Sequence, residues 1–143
     1  MPELTIVIPA YRERDNLLPM IAALKQALAQ VDWAAIFVVD DALDGSEEIV
    51  RGVAQRDPRV RCLQRIGRRG LASACIEGML ASSAPYLAVI DADLQHDETL
   101  LPALLQKIST GDADIVNAAV TWKVRAPAGW PPAAYGRAAW RAP

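Results

Sequence analysis

The stretch that decides the fold is YLAVIDADLQHD, residues 86–97. Tyr86 to Ile90 is apolar throughout, short, and stops abruptly at Asp91. A run of that length and character reads as a strand buried on both faces. Beyond it, Asp91, Asp93 and Asp97 fall within seven residues. Carboxylates set so close repel one another unless something cationic lies between them. Either water solvates them or they hold a metal ion.

The same kind of segment recurs upstream. LTIVI (4–8), AIFVV (35–39) and VRCL (60–63) are short, rich in β-branched residues and bounded by polar or proline punctuation. Between them, apolar residues recur at helical spacing: Leu17, Ile21, Leu24 and Leu28; then Ile49, Val50 and Val53; then Leu71, Ala74, Cys75 and Met79. After the DADLQHD loop come Leu100, Leu101, Leu104, Leu105 and Ile108. Strand and helix alternate four times, and DIVNAAV (114–120) is expected to add a fifth strand. The pattern predicts an α/β fold: an open, mainly parallel sheet flanked by helices.

Bulk properties agree with one domain. The chain has 143 residues, of which 52% are hydrophobic, enough to bury a core. A formal charge of −2 gives no sign of nucleic-acid binding. No run approaches the roughly 18 apolar residues of a membrane span. MPELTIVIPAYRERD has no basic start followed by a long apolar stretch, so it reads as a cytosolic beginning rather than a signal peptide. Cys62 and Cys75 form neither a CxxC pair nor a ligand set and read as buried thiols.

Open α/β sheets bind ligands outside the carboxyl ends of their strands. The polar loops fall there: PAYRERDN after the first strand, DDALDGS after the second, QRIGRRG after the third and DADLQHD after the fourth. In a parallel sheet all four meet on one edge, and a pocket with acidic, basic and glycine-bearing walls is expected.

VIPAYRERDNL, VVDDALDGS, GRRGLASACIEGM and DADLQHD, in this order and spacing, resemble the family 2 glycosyltransferases of GT-A fold. Within that family the likeness is to the polyprenyl-phosphate branch that includes dolichol-phosphate mannosyltransferases. It covers residues 4 to about 118. The resemblance implies that Asp91 and Asp93, joined by Gln95, hold Mg²⁺ or Mn²⁺ and the diphosphate of a nucleotide-sugar, with Ala92 between them at the donor and Asp93 in the catalytic role. It further implies that Pro9, Tyr11 and Glu13 line the base, that Asp41 meets the base or ribose, and that Arg69 and Gly70 meet the diphosphate. The loop DDALDGS is one residue shorter than its relatives' and lacks their central serine, and Asp44 takes the place of their later aspartate. Arg65, Arg68 and Ser73 stand beside the glycine turn as further anion-facing candidates. His96, the only histidine, is a base or a solvent-exposed loop residue, and Asp97 caps the following helix.

The partners so implied are a GDP- or UDP-sugar donor and a polyprenyl phosphate acceptor, met in the cytoplasm or at the cytoplasmic face of a membrane. A phosphate monoester acceptor is already mostly ionised near pH 7 and needs no general base. A sugar-hydroxyl acceptor would need a carboxylate base, and none stands out. A DxD phosphatase places its motif after the first strand, whereas here it follows the fourth.

The domain reading is a nucleotide-sugar half over 1–120 and an irregular tail over 121–143. Residues 1–120 hold 11 Lys and Arg against 17 Asp and Glu, net −6, while 121–143 hold 4 basic residues and no acid. The tail carries three of the four tryptophans and four of the ten prolines, with neither a helical nor a strand period. Family members continue with an acceptor-binding half after the fifth strand. The chain therefore looks truncated, which raises a second reading as a nucleotide-binding remnant without turnover.

Overall fold

The computed structural model describes residues 1–41 and 43–118. Four strands, β1 (Leu4–Ala10), β2 (Trp33–Asp40), β3 (Val60–Arg65) and β4 (Tyr86–Val89), form one sheet in the order β3-β2-β1-β4 with every pairing parallel. The helices α1 (Leu17–Ala27), α2 (Ser46–Ala54), α3 (Leu71–Leu80) and α4 (Leu101–Ser109) alternate with them as the periodicity predicts. Pro9 is tolerated inside β1 for a positional reason. The Val7 carbonyl accepts from Ile90 at the β4 side, so alternation turns Pro9 to that side just where β4 has ended.

The two faces of the sheet are covered unequally. Ile6 and Ile8 of β1 and Phe37 and Val39 of β2 pack under α1, α2 and α4, through Leu17, Met20, Leu24, Val50, Leu101 and Leu105. The alternate residues Val7, Ile36 and Val38 face α3 and meet Ala74. α3 returns the chain from β3 across β2 and β1 to β4, which is why it lies on the opposite face. It does not reach over β4, where Leu87 and Val89 stay exposed. Along that edge, between β4, α4 and residues 114–118, runs an apolar groove of about 720 Å³.

The expected fifth strand is corrected in part. Residues 114–118 form no strand: they line the groove beside β4 without a ladder, and Ile115 is exposed. Residues 119–120 and the expected irregular tail, 121–143, lie outside the described residues. Cys62 and Cys75 are free and half-buried rather than fully buried, and burial pushes both thiols up from their ordinary pKa.

Asp57, at the turn into β3, makes a prediction about acid stability. Its carboxylate bonds the Arg59 guanidinium at 3.0 and 2.9 Å and the Lys25 ammonium at 2.8 Å, and these cations hold its pKa well below the usual carboxylate range. A lowered folded pKa means stability that is present above the unfolded value near 3.9 and lost as pH falls below it. Asp57→Asn should cost about 1 kcal/mol at neutral pH and flatten the acid limb of a pH–stability curve below about pH 4. Urea titrations from pH 7 to pH 2 check this, and an unchanged acid limb would contradict it.

Candidate functional site

Because the sheet is wholly parallel, the four polar loops leave from one edge, and side-chain contacts tie three of them together. The Arg69 guanidinium lies 5.2 Å from the Tyr11 ring centroid, and its Nε donates to the Asp41 carbonyl at 3.2 Å. Arg12 lies 5.2 Å from the same ring, so Tyr11 has an arginine from each of two loops against it. Asp41 Oδ2 accepts from the Gly67 N–H at 3.2 Å. Beneath them, Asp40 Oδ2 accepts from the Gly70 N–H at 2.8 Å, which holds the start of α3 against the end of β2.

The fourth loop reaches the same edge from the other side of β1. β4 pairs with β1 in parallel, so Asp91, just beyond the end of β4, stands at the same edge as the loop after β1. Asp91 Oδ2 lies 3.0 Å from His96 Nε2. Asp93 Oδ1 accepts the Gln95 N–H at 3.0 Å and closes the turn in which Leu94 takes a left-handed φ of 62°. Ala92 is buried between the two aspartates and helps anchor the loop in the core, while Asp91 and Asp93 remain partly exposed. Strand order reverses between β1 and β4, so Tyr11 and Asp91 flank the crevice where sheets of this kind take ligands.

Backbone strain is concentrated on this edge. Among the described residues, the non-glycine positions with positive φ are Arg12, Leu43 and Leu94, in the loops after β1, β2 and β4. Each such position costs energy, and clusters of them belong to sites held in a required geometry.

Other expected residues divide clearly. Pro9 lies in β1 itself and is buried, two residues before the exposed Tyr11. Glu13 accepts from the Asn16 side-chain amide through Oε2 at 2.6 Å, so one of its oxygens is engaged within its own loop. Asp44 accepts the Ser46 N–H at 3.1 Å and stabilises the first turn of α2. Of the three arginines, only Arg69 faces the loops after β1 and β2: Arg68 pairs with Glu77 at 2.8 and 3.1 Å, and Arg65 is buried. Asp97 takes the capping role expected of it, accepting from the Thr99 N–H at 3.0 Å at the start of the turn into α4. The Arg65–Asp40 pair was missed from sequence, although both residues end apolar strands and so stand at the same edge.

Residues 5–137 match the family described as Glycosyl transferase family 2. The chain belongs to that family. Among curated relatives, this family 2 chain is 32% identical over 109 residues to the dolichol-phosphate mannosyltransferase of Pyrococcus furiosus, covering 76% of this chain and 31% of the relative. It is 34% identical over 110 residues to the dolichol-phosphate mannosyltransferase of Saccharomyces cerevisiae, covering 74% and 41%. The chain thus spans a third to two fifths of the curated relatives it matches. Its fold is similar to a mannosyltransferase from Pyrobaculum calidifontis in complex with GDP-Man and Mn²⁺, with a TM-score of 0.61, 21% identity, and coverage of 73% of this chain and 32% of that one. It is also similar to glucosyl-3-phosphoglycerate synthase from Mycobacterium tuberculosis in complex with Mn²⁺, UDP-Glc and phosphoglyceric acid, with a TM-score of 0.60, 21% identity, and coverage of 78% and 41%. The GT-A expectation for the family 2 fold therefore holds, and among the described residues no helix is long and apolar enough to cross a membrane.

Proposed function

We propose that this chain binds a nucleoside diphosphate sugar and serves a metal-assisted, inverting transfer of a hexose, mannose or glucose, to a polyprenyl phosphate of dolichyl type. The observation that carries the reading is the placing of three tied loops and, by parallel pairing of β4 with β1, the DADLQHD loop at one strained sheet edge. The relatives named for dolichol-phosphate mannosyl transfer support the acceptor class, and the neighbours in complex with GDP-Man or UDP-Glc support the donor class.

Among the described residues no group of three or more His, Cys, Asp or Glu is arranged as a metal site. The donor set nevertheless fits a hard cation. Asp91, Asp93 and the Gln95 amide offer oxygen, and Mg²⁺ and Mn²⁺ bind through few protein carboxylates, completing their shells with water and phosphate oxygens. Each carboxylate has one oxygen committed locally, to His96 or to the Gln95 N–H, which leaves the second oxygen of each for a ligand. A cation held there would stabilise the charge that develops on the diphosphate leaving group.

The chain's own residues do the remaining work. Tyr11, with the Arg12 and Arg69 guanidiniums over its ring, forms the wall assigned to the base. Asp41 is placed for base or ribose hydroxyls. The Arg69 guanidinium and the start of α3 just after Gly70 are assigned to the diphosphate. The acceptor phosphate is ionised at neutral pH, so no residue is required to take its proton. A membrane-borne acceptor implies work at the cytoplasmic face of a membrane.

The test is incubation with radiolabelled GDP-mannose or UDP-glucose, Mn²⁺ and a short-chain polyprenyl phosphate. Label transferred to the organic-extractable lipid is expected. Donor binding without transfer would replace this reading with that of a nucleotide-binding chain lacking turnover.

One residue serves as an internal control. Asp97 acts on the backbone of the turn before α4, and asparagine caps as well as aspartate. Asp97→Asn should leave nucleotide affinity within about twofold of the parent. A tenfold loss would move Asp97 into the binding site.

A further inference from the structure

A buried polar network lies beneath the site. Arg65 is 2% exposed and stands opposite Asp40 in the β2–β3 ladder. Its Nη1 donates to Asp40 Oδ1 at 2.7 Å and to the Gly70 carbonyl at 3.0 Å, and its Nη2 donates to Ser73 Oγ at 2.6 Å. Nε lies 3.3 Å from Glu77 Oε1, close enough for attraction though not aligned as a hydrogen bond. The second oxygen of Asp40 receives the Gly70 N–H. One buried guanidinium therefore touches the end of β2, the β3–α3 turn and the first two turns of α3.

A buried ion pair is a poor way to gain stability, since well-packed apolar residues of similar volume often serve as well or better. What this pair determines is geometry. Gly70, at a φ of 131°, is held on both its N–H and its carbonyl, and the turn before it is thereby set so that Gly67 reaches the Asp41 carboxylate and Arg69 reaches the Asp41 carbonyl and the Tyr11 ring. We propose that Arg65 and Asp40 are positioning residues of the donor site, fixing the distance between Asp41 and the Arg69–Gly70 turn without touching the nucleotide. The inference rests on the proposed assignment of Asp41, Arg69 and Gly70 to the donor.

Lysine keeps the charge of Arg65 but not its fork of donors. Arg65→Lys should remain folded, speed amide exchange in residues 66–73 at least about tenfold and weaken GDP binding in Mn²⁺ by about tenfold, as befits loss of a charge-assisted bond. Ser73→Ala removes one acceptor of the same fork and should weaken binding about threefold. If Arg65→Lys does not fold, Ser73→Ala carries the test with the same two measurements. Unchanged exchange over 66–73, or parental affinity in a folded variant, would overturn the proposal. Absence of GDP and UDP binding by the parent protein would overturn the donor reading instead, and exchange in the nucleotide-free protein still decides whether Arg65 positions the turn.

Discussion

Gly78→Ala should destabilise the protein by about 2 kcal/mol, reversing the usual sign for such a change. In a helix, alanine is favoured over glycine by about 1 kcal/mol. At Gly78 an added Cβ would drive into Val7 Cγ1 and lie 2.9 Å from Val38 Cγ2, both in the core beneath α3. Overpacking of this kind costs about 1–3 kcal/mol and more where a backbone must retreat. Gly52, in α2, has nothing within 4 Å of the same position, so Gly52→Ala should stabilise by up to about 1 kcal/mol. Denaturant unfolding of the two variants reads the contrast, and a stabilising Gly78→Ala would mean that α3 does not pack on β1 and β2 as described.

Asp93→Asn should abolish most of the metal-dependent part of nucleotide binding, at least about a tenfold loss, or about 1.4 kcal/mol. Asparagine retains an Oδ1 to accept the Gln95 N–H, so the turn survives. The change removes one of two neighbouring carboxylate charges, and the free protein should be as stable as the parent or slightly more so. Thermal unfolding without metal and nucleotide titration with Mn²⁺ separate the two effects. A destabilised free protein with binding retained would make Asp93 structural.

The fold was legible because three of its strands contain continuous apolar runs and its helices carry a clear stripe. The ends were less so. β3 runs through Gln64 to Arg65, where polar residues suggested a loop, because Asp40 on β2 neutralises Arg65 and lets the ladder continue. β2 begins earlier than its apolar run suggests because Trp33 pairs with Leu4 and is buried with Arg59 over its ring. The expected strand at 114–120 rested on composition alone, and a strand requires a partner that 114–118 do not have.

The candidate site was legible as four loops, since parallel pairing brings them together whatever their details. Their internal commitments were not. Glu13 spends an oxygen on Asn16, His96 lies against Asp91, and Arg65 turns inward rather than toward a ligand. The first two depend on side chains meeting within loops whose left-handed residues, Arg12 and Leu94, are types that give no warning of that backbone, and the third on Asp40 standing opposite Arg65 in the ladder. Gly78 was invisible for a similar reason: its close approach to Val7 and Val38 exists only once α3 has crossed the sheet.

The central claim is that Asp91 and Asp93 hold a divalent ion together with a nucleoside diphosphate. Calorimetric titration of the protein with GDP and with UDP, each with and without Mn²⁺, tests it most directly. One of the two nucleotides should bind more tightly in Mn²⁺, and Mn²⁺ should bind more tightly in that nucleotide by the same factor, as linkage requires. Nucleotide affinity indifferent to Mn²⁺ would contradict the account and leave DADLQHD as a solvated acidic turn.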